Sequence, residues 1–162
     1  MAIKVDIIET KRLVLRGINE VDAEFIVKWR SDPDVYKFFK FPHKIDMEEH
    51  LAWYNTKYLS DENRFDWICI EKESKNRIGV FGLRKDNDRV EISYLLSTES
   101  QHKGYASEVL KSLLEYVSGS LNVKQVIAEI HDKNKASIAL VKKLGFKELS
   151  HEGPFVIYGI EV

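Results

Sequence analysis

"QHKGYASEVL", residues 101–110, stands between a run of alternating apolar residues and a long stretch of helical periodicity. Strongly apolar residues fill only two of its ten positions, Val109 and Leu110, and its glycine falls where a helix must start. A helix N-terminus presents unpaired backbone N–H groups and about half a positive charge. Gly104, with no Cβ, lets a ligand approach that backbone, and the small Ala106 and Ser107 keep the first turn open. Such a turn suits phosphate groups without a lysine cluster, and it serves equally well as a plain strand-to-helix connection. The familiar phosphate loops are missing. There is no G-x-x-x-x-G-K-[ST], and "GVFG" at 79–82 is not a dinucleotide fingerprint.

The helix that follows carries Ala106, Val109, Leu110, Leu113, Leu114 and Val117 as one apolar stripe. Upstream, "FDWICIEK" (65–72), "RIGVFGLRK" (77–85) and "VEISYLLS" (90–97) read as strands joined by the turn chemistry of "SKN" and "DND". They form antiparallel hairpins. "TKRLVLRGI" (10–18) alternates and is a further strand. Asn19 caps a helix whose apolar face is Val21, Phe25, Ile26 and Trp29, and Pro33 ends it. Segment 31–45 is irregular. Asp46 with Glu49 resembles a capping box before a helix that turns Met47, Leu51, Tyr54 and Tyr58 inward.

Downstream, "VKQVIAEIH" (123–131) is a strand, and "NKASIALVKKLGF" is a helix capped by Asn134 and stopped at Gly145. "FKELSHEG" and "PFVIYGIEV" are two final strands. The order β–α–α–β–β–β–α–β–α–β–β predicts an α/β (α+β) fold. Its centre is a mixed, mostly antiparallel sheet of about seven strands with helices on both faces.

The 162 residues, 44% hydrophobic and 31% charged, suit one folded domain spanning 1–162. A net charge of −1 gives no basic excess for nucleic acid. Lone Cys69 builds no disulfide framework, and between Ile68 and Ile70 it reads as a buried strand residue. No apolar run reaches 18 residues, so no membrane span is expected, and "MAIKVDIIETKR" lacks the pattern of a signal peptide. A cytoplasmic protein is the expectation. The histidines at 43, 50, 102, 131 and 151 show no metal spacing, and Trp29, Trp53 and Trp67 read as core.

"Q-x-x-G-x-A", with "N-x-x-S…K-L-G-F" thirty residues on, resembles the GCN5-related N-acetyltransferase superfamily. The resemblance spans essentially the whole chain. It implies the acyl-coenzyme A N-acyltransferase fold, acetyl-coenzyme A as co-substrate and no metal. It assigns the pyrophosphate to the turn Gln101, His102, Lys103, Gly104, Tyr105, Ala106 and Ser107, with His102 where a glycine is more usual. Asn134, Ser137, Lys143, Leu144, Gly145 and Phe146 belong to the second motif, beside the pantetheine and thioester. Leu95 and Ser97 pair with pantetheine through their backbones, and the N–H near Leu96 polarises the thioester carbonyl. "TKRLVLRGINEVDAEFIVKWR" resembles the branch of ribosomal-protein and amino-sugar acetyltransferases.

Acetyl transfer to an amine needs the neutral amine. An alkylammonium of pKa near ~10.4 is about one part in 2,500 neutral at pH 7, a cost of about 4.6 kcal/mol. A base, or desolvation of the amine, must meet it. By resemblance Glu129 takes the base position of ribosomal-protein acetyltransferases and Glu91 that of the histone-acetylating branch. Taken alone, each reads more readily as a solvated strand carboxylate. The family's tyrosine acid position holds Val141, which leaves Ser137 to serve the thiolate, or simply to support the cap.

Tyr36, Phe38, Phe39 and Phe41 alternate with Lys37, Lys40, His43 and Lys44 in segment 31–45. They line an acceptor cleft or pack as core with solvated lysines. "WRSDPDVYKFF…I…EEHLAWY" resembles the amino-sugar-nucleotide acetyltransferases of the pseudaminic-acid pathway. That makes the expected partner a small-molecule amine, with a protein N-terminus or polyamine next. A non-catalytic acyl-coenzyme A sensor and a homodimer stay open.

Overall fold

Eight strands hydrogen-bond into one sheet in the order β1-β2-β3-β4-β5-β6-β8-β7. They are β1 (Ile8–Glu9), β2 (Leu13–Gly17), β3 (Arg64–Glu71), β4 (Arg77–Asp86), β5 (Arg89–Leu96), β6 (Gln125–His131), β7 (Lys147–Glu152) and β8 (Phe155–Glu161). The computed structural model describes residues 4–162; residues 1–3 of the expected domain lie outside the described residues. Every neighbouring pair is antiparallel except β5 with β6. Seven of these strands match the alternation in the sequence. The eighth, β1, is two residues long and too short for any periodicity to announce.

Helices α1 (Ala23–Arg30) and α3 (Met47–Trp53) cover one face, and α4 (Tyr105–Ser120) and α5 (Lys135–Lys143) the other. Period-two alternation along β3 divides the core between them. Trp67 and Cys69 join the cluster of Val109, Leu110, Leu113 and Val117 on α4, together with Leu13, Phe81 and Leu83. Ile68, one residue on, joins Ile26, Trp29, Tyr54 and Tyr58.

The first helical region departs from the expectation at two points. Asn19 caps a 3-10 turn, Glu20–Asp22, whose geometry turns Val21 out to solvent. Pro33 opens α2 (Pro33–Tyr36) where it was expected to end α1, with the Asp32 side chain accepting from Asp34 N–H. Proline at the first helical position loses no intrahelical hydrogen bond, so it can begin a helix as well as end one.

Pairing of β5 with β6 runs only from Arg89↔Gln125 to Glu91↔Ile127. Beyond it, β5 continues to Leu96 and β6 to His131 with no ladder between them. β5 stays paired with β4 all the way to Gly79↔Leu96. A Cβ on Gly79 would fall 2.3 Å from the Leu95 carbonyl oxygen, so only glycine admits this approach. The parting of two neighbouring strands opens a cleft in the middle of the sheet.

Candidate active site

That cleft is a cavity of about 970 Å³. One wall is β5 from Glu91 to Leu96 and the other is β6 from Ala128 to His131. The glycine turn closes one end with Gln101, His102, Gly104, Tyr105, Ala106 and Ser107. Asn134 and Ser137 reach in from the start of α5, and Phe38, Phe39 and Phe41 form the rim. Most side chains singled out in the sequence therefore meet in one place. Nine lie elsewhere. Tyr36, His43, Lys44, Lys143, Leu144, Gly145 and Phe146 are off the cavity, and Ser97 and Lys103 line a separate hollow of about 270 Å³. Ser97 N–H already donates to the Ile78 carbonyl at 2.8 Å, which leaves it no free donor for a ligand.

The turn is left-handed at two residues, His102 (φ 63°) and Gly104 (φ 79°). Left-handed backbone favours glycine, which explains why glycine is the more usual residue at the His102 position. Arg12, on the chain entering β2, braces the turn from below. Its Nη1 donates to the Lys103 carbonyl at 3.0 Å, and its Nε meets Glu108 at 2.7 Å. Its guanidinium lies 4.4 Å over the Tyr105 ring. Tyr105 in turn hydrogen-bonds Glu71. A Cβ built on Gly104 would meet only the Arg12 guanidinium within 4 Å, at 3.5 Å. The turn thus faces open space with a fixed positive charge beside it.

On α5, the Asn134 side chain accepts from Ser137 N–H at 3.3 Å. Ser137 Oγ lies 2.8 Å from the Tyr94 hydroxyl. Tyr94 stacks on Phe81 with ring centroids 5.4 Å apart, and burial pushes its phenol up, so it stays neutral. Val141 is buried, leaving Tyr94 as the phenol of this cavity nearest Ser137.

Both candidate carboxylates are ion-paired. Glu129 Oε1 lies 3.2 Å from Lys40 Nζ, and Glu91 Oε1 lies 3.0 Å from Arg84 Nη2. The hydrogen bond that Lys40 donates to Glu129 holds its ammonium above its usual range. His131 sits between Phe38, whose ring is tilted to it, and Phe155, which meets it edge-on, with centroids at 5.4 and 5.3 Å.

Arg12, Tyr94, Arg84 and the Lys40–Glu129 pair were missed in the sequence. Tyr94 carried a weak signal, because a tyrosine on an apolar strand face still needs a partner for its hydroxyl. Arg12 carried none, since its partners lie more than 90 residues away.

Residues 12–147 match the family described as an acetyltransferase (GNAT) domain. The chain is 32% identical over 146 residues to an uncharacterized N-acetyltransferase, p20, of Bacillus licheniformis, covering 86% of this chain and 81% of that one. It is 27% identical over 146 residues to the spermidine N(1)-acetyltransferase of Vibrio cholerae, covering 86% and 82%. Among solved structures, a domain from Methanocaldococcus jannaschii superposes with a TM-score of 0.83 at 28% identity, covering 95% of this chain and all of that one. The Vibrio cholerae spermidine N-acetyltransferase in complex with CoA and spermine superposes with a TM-score of 0.83 at 22% identity, covering 93% and 95%.

Proposed function

The chain belongs to the acetyltransferase (GNAT) family, and from that premise we propose that its cleft acetylates a primary amine of a small molecule. The observation that carries this reading is the cavity between the parted strands, which joins the glycine turn, two carboxylates and a hydroxyl pair. Acetyl-coenzyme A is the acyl donor of the family, and the residues present fit it. Open backbone at Gly104 and the Arg12 guanidinium suit a pyrophosphate. The gap along β5 suits an amide-bearing arm that pairs with free strand backbone.

Bound acetyl-coenzyme A supplies an activated acyl thioester. Glu129 takes the proton of the acceptor ammonium, directly or through one water, and so frees the neutral amine to attack the thioester carbonyl; Glu91 is the reserve carboxylate. The N–H near Leu96 receives the developing oxyanion. Ser137 donates toward the departing sulfur, and Tyr94 fixes its hydroxyl. A thiol of pKa about 8.5 is a tolerable leaving group, so a positioned hydroxyl meets the need.

The acceptor class we favour is an amino-sugar nucleotide, because Lys37, Lys40 and Arg84 line the cavity beside stacking rings. A polyamine is the second reading. The spermidine-acetylating relative favours it, as do Asp34, Glu91 and Glu129 on the same walls. Thiol release from acetyl-coenzyme A across a panel of amines tests both. The expected result is a higher kcat/KM for an amino-sugar nucleotide than for spermidine, with a gap that narrows as salt rises. A preference for spermidine overturns the first reading in favour of the second.

A further inference from the structure

A second cavity, of about 250 Å³, adjoins the first. Phe39, Ser93, Tyr94 and Leu95 wall both, so the two meet across the end of β5. Its remaining walls come from α1, α3 and the strands beneath them. Ile18, Ile26 and Val80 make them largely apolar.

Into this apolar setting the fold brings two guanidinium groups, Arg30 at the end of α1 and Arg64 at the start of β3. Arg64 has a counter-ion, with Nε 3.3 Å from Asp66 Oδ1, and lies 5.3 Å over the Trp53 ring. Arg30 has none: among the described residues no carboxylate comes within ion-pair distance of it. Burial, and then the charge of Arg64, lower its pKa, while Asp66 and Glu49 compensate only from a distance. Asp66 is itself 3% exposed, and burial pushes its carboxyl up, toward the neutral form. His50, 4% exposed, lines the same cavity, and its Nδ1 has no hydrogen-bond partner. Burial and then Arg30 hold its imidazole neutral.

The charges do not balance. Two cations face one carboxylate whose own ionisation is opposed by burial, and a buried ring nitrogen goes unsatisfied. A half-buried cation with no counter-ion, as Arg30 is, and an orphaned buried polar atom are both costly unless something pairs with them. A guanidinium fork matches carboxylate and phosphate oxygens in particular. At about 30 Å³ per water, the volume holds a phosphate or carboxylate with part of its carrier.

We infer that this cavity seats an oxyanion of the acceptor, a carboxylate or phosphate held by Arg30 with Arg64 and His50, while the amine reaches Glu129 past Phe39 and Tyr94. The seat itself stands on the charges of the cavity. Its link to the acceptor rests on the acetyl-transfer reading.

Two experiments test it. In the first, tryptophan fluorescence, reported by Trp53 in the wall, is followed while inorganic phosphate replaces chloride at constant ionic strength. A saturable change is expected, and Arg30→Gln abolishes it. In the second, kcat and KM are compared for matched amines. An amino-sugar phosphate is set against its dephosphorylated form, and an amino acid against the amine lacking its carboxylate. These arms tell a phosphate from a carboxylate. Arg30→Gln should raise KM for the preferred anionic amine about ten- to a hundredfold and leave its neutral partner within about twofold. Arg30→Lys should recover part of the loss, and His50→Gln serves if Arg30→Gln fails to fold. Equal KM values within both pairs, no response to phosphate, or an Arg30→Gln loss shared by both partners overturns the seat. Phosphate binding without acetyl transfer to any amine would instead sink the acetyl-transfer reading and leave the seat standing.

Discussion

At Gly104 a single missing Cβ separates an open turn from a blocked one. Its φ of 79° penalises any side chain, and the space above it is open apart from Arg12. Gly104→Glu should therefore abolish acetyl-coenzyme A binding in a protein that still folds, as calorimetry would show. Unchanged affinity would mean the turn is only a connection. His102 is the complementary case. It holds φ 63° without needing its side chain, so His102→Gly should leave coenzyme A affinity within about twofold and cost less than about 1 kcal/mol in Tm-derived stability. The turn was legible in the sequence because its chemistry lies in consecutive residues. Arg12, which braces it, and Tyr94, which meets Ser137, were not. Their partners come from distant parts of the chain, and no local pattern encodes such a meeting.

The elements were legible to the extent that each announces itself by period. Strands β2 to β8 and the stripe of α4 did so. What periodicity could not show is where β5 and β6 stop pairing, because alternation continues through Leu96 and His131 after the ladder ends. The cleft is a property of two strands together. Its ion pairs were hidden for the same reason, and they change the chemistry expected of segment 31–45. Lys40, which the sequence alone presents as a rim or solvated lysine, rests on Glu129 at 3.2 Å. An acceptor ammonium must compete with it for the same carboxylate. Lys40→Met should thus lower KM for spermidine and raise kcat/KM for spermidine relative to an amino-sugar nucleotide. An unchanged ratio would show that the pair lies outside the acceptor's path. Glu129→Gln should cut kcat/KM by about 10²–10⁴-fold, more than Glu91→Gln, with the deficit shrinking as pH rises and the amine deprotonates unaided. Near-normal rates for both at pH 7 would leave desolvation as the source of neutral amine.

Across the whole molecule, one buried carboxylate ties α1 to the sheet. Asp22 is fully buried, and it accepts from both Nη atoms of Arg16, from Arg77 Nε, each at 2.8 Å, and from Asn19 N–H at 2.9 Å. These residues lie before α1, in β2 and at the start of β4, so one side chain pins α1 to two strands. Burial alone would raise the Asp22 pKa. The hydrogen bonds from Arg16 and then Arg77 outweigh it and hold the carboxyl below its usual value. A folded pKa below the unfolded one, near ~3.9, makes this stabilisation fully present above that value and lost as pH falls through the folded pKa. Asp22→Asn removes it at every pH and leaves two arginines facing a neutral amide. The expected loss is about 3 kcal/mol near neutrality, or roughly 6–12 °C in Tm for a chain of this size. The gap from the unmutated protein should close below about pH 4. Arg77 also lies over Phe25 of α1 at 4.4 Å, while the hydrogen bonds that hold the glycine turn come from Arg12, itself paired with Glu108. Asp22→Asn at neutral pH should accordingly raise KM for the acceptor while coenzyme A affinity holds. A mutant that loses both together, or a Tm gap indifferent to acid, would show that the two halves of the cleft share one support.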